Sequence, residues 1–306
     1  MIVIIGSGMA GLACARRLAD AGLAAIVLDK GRGIGGRVAT RRVGDLQFDH
    51  GAQYVNAHGA GFAAVLHSLG DSVAGWQDGT GRTHSVGVPG MSAIPKALGA
   101  GLEIRQNAQV ARVVQDDDSW ALHLDTDIMR AARVVVTVPA PQVAGLLGAE
   151  HPLVAALAPV RLAPCLTLMA AVTAPAPLIA RQDADDPLAW IAQDSAKPSR
   201  PQSAATLWVA QSGEAFSRAY LEESPTQIAA RMLPLLCDRL GVTADRVTHA
   251  SAHRWRYARV TQALGQPFLR SPDATLYLGG DWCIGPRVEA AWTSGTAIAD
   301  DILARG

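Results

Sequence analysis

Residues 2–29 constrain the fold of this chain more than any other stretch. Four apolar residues, Ile2-Val3-Ile4-Ile5, run into Gly6-Ser7-Gly8-Met9-Ala10-Gly11, a Gly-x-Gly-x-x-Gly spacing. A helix-like run follows to Gly22, and a second apolar run, Ala25-Ile26-Val27-Leu28, ends on Asp29. Gly6 permits a tight turn off the strand, Gly8 lets a phosphate approach the backbone, and Gly11 lets helix and strand pack closely. The helix N-terminus, at Met9 and Ala10, offers unpaired N–H groups to a pyrophosphate. Asp29 falls where a carboxylate accepts from ribose hydroxyls. An ordinary glycine-rich turn would not explain Asp29, so the order strand, glycines, helix, strand, acid predicts a dinucleotide site. On its own it admits NAD, NADP or FAD.

At 306 residues, one large or two intertwined domains are expected, with room for a buried cofactor. Lys+Arg and Asp+Glu balance at 27 each, so no general field draws the protein to nucleic acid or an anionic membrane. Cys14, Cys165, Cys237 and Cys283 are scattered without a Cys-x-x-Cys. This argues against a disulfide framework, a zinc or other metal site and a redox dithiol, and it predicts a reducing, cytoplasmic compartment. The N-terminus lacks a basic n-region and reads as a first strand rather than a signal peptide. Leu162 to Ala180 is uncharged and long enough to span a bilayer, but Pro164, Pro175 and Pro177 interrupt it. Because Cys165 to Val172 reads as a β run, a buried strand in a soluble protein is expected.

Gly31-Arg32-Gly33-Ile34-Gly35-Gly36-Arg37 is too rich in glycine for a helix or strand and must be a loop lying against something. Residues 62–85 show little periodicity. Short strands are expected at Leu102–Ile104, Val110–Val114 and Trp120–Leu124, and a buried one at Val134–Val138. Strand-like runs at Leu166–Val172, Leu188–Ala192, Ala205–Gln211 and Val247–Tyr257 mark a second unit. Ser224-Pro225 opens a helix towards Leu240-Gly241, which Pro234 is expected to kink or shorten. Alternation in the run 247–257 puts His249, Ser251, His253, Trp255 and Tyr257 on one face and Arg254 and Arg256 on the other. A strand then ends on Gly280-Asp281, and a helix from Arg287 to Leu303 carries Val288, Ala291, Gly295, Ile298 and Ile302 on one stripe. The fold class is α/β: a Rossmann-type domain from residues 1–60, 86–145 and 262–306, with a second α+β substrate domain on a mixed or antiparallel sheet from 61–85 and 146–261.

Several runs together resemble one family. They are the opening fingerprint, Gly35-Gly36-Arg37, Asp49-His50-Gly51-Ala52-Gln53-Tyr54 and Gly87-Val88-Pro89-Gly90-Met91-Ser92, followed by Ala252-His253-Arg254-Trp255-Arg256-Tyr257-Ala258, Gly279-Gly280-Asp281-Trp282 and Arg287-Val288-Glu289-Ala290-Ala291-Trp292. In this order they are similar to the FAD-dependent amine oxidase superfamily and, within it, to the bacterial renalases; the run His253–Tyr257 is the narrower pointer. The resemblance implies non-covalent FAD held by Gly6, Gly8, Met9, Ala10, Gly11, Asp29, Lys30, Gly36 and Arg37 at the nucleotide end. It implies Val110 at the adenine, Gly51, Ala52 and Gln53 beside the flavin, and Gly280, Asp281, Arg287, Val288 and Glu289 around the ribityl chain and the N1–C2=O edge. A helix N-terminus there favours the negative charge of reduced flavin. His253, Trp292 and Tyr54 are the candidates for the substrate side. His50 is either a catalytic base or a structural hydrogen-bonding residue. Arg254 and Arg256 either bind substrate phosphates or form salt bridges. Cys283 reads as a packed thiol rather than a flavin attachment point, because the attachment motif of the covalent relatives is missing.

What the resemblance implies for activity is oxidation of the 2- and 6-dihydro isomers of NAD(P)H. Hydride passes to flavin N5, β-NAD(P)+ leaves, and dioxygen returns the flavin to its oxidised form with release of hydrogen peroxide. Hydride loss yields the aromatic cation directly, so walls and one or two hydrogen bonds suffice. Two alternatives stay open: an amine oxidase with aromatic walls drawn from Trp282, Trp255 and Tyr257, and a flavin-binding scaffold without turnover.

Overall fold

A computed structural model describes every residue except 126, 176, 177 and 306. Its central sheet has six strands in the order Leu269–Arg270, Leu276–Leu278, Arg133–Val136, Ile2–Ile5, Ala25–Leu28 and Glu103–Arg105. All run parallel except the short Leu269–Arg270 edge. Ile2–Ile5 is buried along its whole length, as a strand covered on both faces must be. Ile2 and Ile4 face Cys14, Ala15 and Leu18 of helix Met9–Asp20 and Ile298 and Ile302 of helix Val288–Ala304. Val3 and Ile5 face Val113, Trp120 and Leu122 of a three-stranded meander over Val110–Asp116, Ser119–Leu124 and Ile128–Ala131. Helix and strand approach so closely at Gly11 that a β-carbon there would run into the Gly6 carbonyl.

The second sheet has five strands in the order Ala180–Gln182, Trp190–Gln193, Thr206–Gln211, Arg161–Val172 and Val247–Gln262. It is antiparallel throughout. Leu166, Leu168, Ala170 and Val172 pack on one face against Ile228, Met232 and Leu236 of helix Pro225–Leu240. Ser224 and Gln227 close a capping box at its start, and Gly241 ends it in the left-handed conformation. The helix runs through Pro234 at full length, so the expected shortening does not occur. Pro234 forfeits one bond to the Ala230 carbonyl, while Leu236 and Leu240 beyond it stay buried against the sheet. Tertiary packing decides here.

Other departures have local causes. The aperiodic region 62–85 folds as helix Ala60–Ser68 and a hairpin of Val73–Gln77 with Thr83–Gly87. Only Phe62 and Leu66 of that helix are buried, a stripe too short to read. The run expected from Leu188 pairs only from Trp190, and Leu188 instead packs under helix Pro225–Leu240. Of the uncharged stretch 162–180, residues up to Val172 belong to a sheet strand, and Pro177 lies outside the described residues. Among the described residues no helix is long and apolar enough to cross a membrane.

Candidate active site

The face of the second sheet turned away from helix Pro225–Leu240 carries one row of side chains in register. Trp190 pairs with Gln211, Gln211 with Thr167, and Thr167 with His253. Directly opposed residues share a face, so the row runs about 14 Å across four strands. The segment Asp49–Tyr54 lies over it. Trp255 Nε1 donates to the His50 carbonyl (2.8 Å) and Gln211 Nε2 donates to the Gly51 carbonyl (2.7 Å). Tyr54 meets Trp190 edge-on at 5.6 Å between ring centroids. From the other side, Ala52 N donates to the Arg37 carbonyl (2.9 Å), and a β-carbon on Gly51 would strike that same oxygen. The segment is thus clamped between the glycine loop of the first unit and the sheet of the second.

At one end of the row His50, His253 and Trp255 form a three-ring cluster, with centroids 4.8 Å (His50–His253), 5.2 Å (His50–Trp255) and 4.3 Å (His253–Trp255) apart. Burial, the neighbouring His253 and Arg41 push the His50 imidazole down to about 3, and burial with Arg41 and Arg254 lowers His253 to about 4. Both rings are neutral at pH 7. Three buried polar atoms on this face, His50 Nδ1, Thr167 Oγ1 and Trp190 Nε1, have no hydrogen-bond partner within the protein. At the other end Tyr54 stacks on His84 at 3.9 Å, and His84 bridges Asp78 (3.0 Å) and Asn56 (3.1 Å). Burial and the Asp78 charge raise the Tyr54 phenol, which stays protonated at neutral pH.

Beneath the same segment lies a charge cluster that the sequence did not announce. Asp49, Asp194, Lys197 and Arg200 are buried together, Lys197 Nζ lying 2.7 Å from Asp194 and Arg200 Nη2 2.5 Å from Asp49. Burial opposes charge on Asp49, but Lys197, Arg200 and hydrogen bonds from Thr40 and Met91 N outweigh it and hold the carboxyl below its usual range. The spacing Asp194-x-x-Lys197-x-x-Arg200 was the available signal, since Lys197 is one of three lysines in the chain.

At the nucleotide end, Asp29 accepts from Ser7 N (2.6 Å), Ser7 Oγ (2.7 Å) and Gly31 N (2.7 Å). Gly35 N donates to the Ser7 carbonyl (2.8 Å), lacing the two glycine loops together. Gly8 caps helix Met9–Asp20 without a side-chain bond, and its first turn holds no acid. Gly36 and Lys30 are exposed beside it. Arg37 does not stand free: it binds Asp281 at 2.6 Å and the Ala258 carbonyl at 3.0 Å.

A sequence profile of flavin containing amine oxidoreductases matches residues 74–303, and one of NAD(P)-binding Rossmann-like domains matches residues 4–69. The chain belongs to the flavin containing amine oxidoreductases. Solved structures of the same fold include a protein of Exiguobacterium sp. 255-15 provisionally assigned as a protoporphyrinogen oxidase, with 14% identity, coverage of 100% of this chain and 99% of that one, and TM-score 0.81. Putrescine oxidase bound to putrescine has 15% identity, coverage of 99% of both chains and TM-score 0.76. Cyclohexylamine oxidase from Brevibacterium oxydans IH-35A has 13% identity, coverage of 99% of this chain and 98% of that one, and TM-score 0.77.

As a flavin containing amine oxidoreductase, the protein uses FAD. The residues at the nucleotide end suit it. A carboxylate has about four acceptor sites, and Asp29 commits three, leaving one for a ribose hydroxyl. The uncapped helix start supplies N–H donors and positive potential for phosphate. Elsewhere this flavoprotein's side chains are partly committed. The Glu289 carboxylate accepts from His58 N (2.9 Å) and Gly59 N (2.7 Å), so it offers a ligand only its backbone. The Val110 side chain is in the core, and Arg287 is exposed just before helix Val288–Ala304. Trp292 packs on Phe62 at 5.5 Å, in the apolar cluster that includes Tyr54 and Trp190, and makes no ring contact with His253. Trp282 is fully buried, with Nε1 bonded to the Val138 carbonyl (3.0 Å), which removes it as an aromatic wall. Arg256 pairs with Glu222 (2.6 Å) and Arg254 donates to the Leu221 carbonyl (2.6 Å), on the face away from the row. Burial raises the Cys283 thiol to about 12, and among the described residues no group of three metal-ligating side chains converges.

Proposed function

We propose that the protein is a renalase-like oxidase of dihydronicotinamide dinucleotides carrying hydride at the 2 or 6 position of the ring. The observation that carries this reading is the neutral polar row on the second sheet. A dihydronicotinamide ring is uncharged and bears a carboxamide, with one acceptor and two donors. Thr167 Oγ1, His50 Nδ1 and Trp190 Nε1 are buried polar atoms without internal partners, and each unmade bond of that kind costs about 1–3 kcal/mol. Gln211 and the neutral His253, half-buried on the same face, add polar groups that suit an amide rather than a cation. The nearby carboxylates, Asp49 and Asp194, are neutralised by Lys197 and Arg200 and offer no anionic site for an ammonium group.

When bound, FAD would supply the hydride acceptor and the route by which dioxygen, with a proton from solvent, is reduced to hydrogen peroxide. The chain's own part is to bind, orient and exclude water. Gly6, Gly8, Met9, Ala10, Gly11, Asp29 and the Gly36–Arg37 loop hold the nucleotide end, with Arg37 and Asp281 acting as a pair. Gly51, Ala52 and Gln53 border the ring system, and His253, Tyr54 and Trp292 bound the substrate side. No proton has to be removed from the donor, so imidazoles held neutral as hydrogen-bonding walls are sufficient.

A second reading, oxidation of a small amine, draws on the Tyr54–Trp190 aromatic pair and on the fold shared with putrescine and cyclohexylamine oxidases. One experiment separates the two. The purified holoprotein is mixed anaerobically with 2- and 6-dihydronicotinamide dinucleotides, with ordinary 4-dihydro-NADH and with a panel of amines, and flavin absorbance is followed. Rapid bleaching by the 2- or 6-isomers alone is expected. Bleaching only by an amine would overturn the proposal, and bleaching by no donor would leave a flavin-binding scaffold. His253→Ala should slow bleaching without releasing FAD.

A further inference from the structure

We propose that Lys197 is a positioning residue for the flavin site, acting through Gln53 on the Gly51–Gln53 backbone. This rests on the reading that residues 51–53 border the flavin. An ammonium has three N–H donors and no acceptor, and all three of Lys197's are matched: Asp194 Oδ1 at 2.7 Å, Gln53 Oε1 at 3.3 Å and Asp49 Oδ2 at 3.4 Å. Because Lys197 can only donate, the Gln53 amide must turn its oxygen towards it. Its nitrogen is thereby aimed at the Asp49 and Gly51 carbonyls, and it donates to both. The Gly51 carbonyl then has two donors, Gln53 Nε2 and Gln211 Nε2. With Ala52 N bonded to the Arg37 carbonyl, the peptide between Gly51 and Ala52 is held from both sides.

The other members of the cluster anchor Lys197 rather than compete with it. Asp49 accepts from Thr40 Oγ1 (2.6 Å), Met91 N (2.8 Å) and Arg200 Nη2 (2.5 Å), and Asp194 Oδ2 accepts from Asp49 N (3.2 Å). Arg200 Nη1 donates to the carbonyls of Gly87 and Pro89, each at 2.9 Å. Two acids face two basic side chains; burial and the Asp49 charge push the Asp194 carboxyl up, while Lys197 at 2.7 Å and Arg200 favour its ionised form. The cluster's bonds join residues 40–53, 87–91 and 194–200. Lys197 is the member that reaches Gln53, so it sets the amide's orientation and the others hold it there. With every N–H committed, Lys197 acts on the ring's surroundings rather than as a proton donor.

The test compares Lys197→Met, Lys197→Arg and the charge-balanced double variant D194N/K197M with wild-type holoprotein. It reads the visible flavin spectrum, the flavin reduction potential, the FAD dissociation constant and the reduction rate. Lys197→Met is expected to shift the visible bands and the potential and to slow reduction on the order of 10²-fold, the scale of a misplaced reacting group. Lys197→Arg, which restores a donor-only cation, should recover most of both. Should Lys197→Met fail to fold, D194N/K197M removes one charge of each sign and is expected to fold with the same spectral shift. Variants that melt earlier yet keep the wild-type spectrum, potential and reduction rate would reduce Lys197 to a purely structural role and overturn the proposal. The spectral and potential readouts need no substrate, so they stand even if the dihydronicotinamide reading fails.

Discussion

Acid should destabilise this protein through His50 and His253, and the size of the effect can be worked from their surroundings. In an unfolded chain an imidazole titrates near 6.5, whereas in the fold burial and neighbouring cations hold His50 at about 3 and His253 at about 4. Between these values the unfolded chain binds more protons than the folded one. Unfolding therefore becomes easier as pH falls below 6.5, and the loss levels off only near pH 4 for His253 and pH 3 for His50. At pH 5 the solution is about 1.5 units below the unfolded value of each ring and still above its folded value, which is worth roughly 2 kcal/mol per ring at 1.36 kcal/mol per unit. His253 is partly exposed, and screening halves its share, so the pair contributes about 3 kcal/mol. Urea unfolding at pH 7 and pH 5, with FAD in fixed excess, measures the loss for wild type and for H50N/H253N. Other titrating groups are common to both, and the difference between the two losses isolates the pair. Equal losses would refute the reasoning, as would imidazole resonances titrating near 6.5 in the folded protein.

Three further outcomes follow from the packing. Gly295→Ala would drive a β-carbon into the Ala10 carbonyl where the two helices cross, and overpacking of about 1–3 kcal/mol should exceed the roughly 1 kcal/mol gained in helix propensity. Thermal unfolding should record a lower midpoint. Glu289→Gln weakens the charge-assisted bonds to His58 N and Gly59 N; a loss of about 1–2 kcal/mol and faster amide exchange at those two positions are expected. Arg37→Ala leaves the Asp281 carboxylate without its cation, and fluorescence titration of the apoprotein should show weaker FAD binding. An unchanged dissociation constant would separate the Arg37–Asp281 pair from the cofactor site.

The parts of the fold legible in the sequence are those set by local rules. The buried parallel strands read as unbroken apolar runs, the Ser224-Pro225 cap announced its helix, and alternation in 247–257 gave the His253 face before any partner strand was known. The candidate row was hidden because register is a relation between strands: Thr167 and Gln211 come to notice only once they oppose His253 and Trp190. The Asp49–Lys197–Arg200 cluster was hidden for a related reason. A charged residue in a loop reads as solvated, and only the fold brings residue 49 against residues 194–200. Pro234 misled in the opposite sense, since a local penalty was overruled by the apolar side chains around it.

The contact between helix Met9–Asp20 and helix Val288–Ala304 has a consequence for how the protein is made. The fingerprint leaves the ribosome well before residues 133–136 and 288–304, yet the strand it turns from is flanked by Arg133–Val136, and its helix is sealed by residues 288–304. A nascent chain therefore holds an exposed apolar strand and an unfinished nucleotide cradle until residues 288–304 have been made. Such long-range closure is slow, and during that interval the half-built sheet is exposed to aggregation. A nucleotide that binds only the closed form draws the last step forward by mass action. Cellular FAD supply is thus expected to govern how much of this protein accumulates, and riboflavin starvation should lower its abundance before it lowers the activity of each molecule.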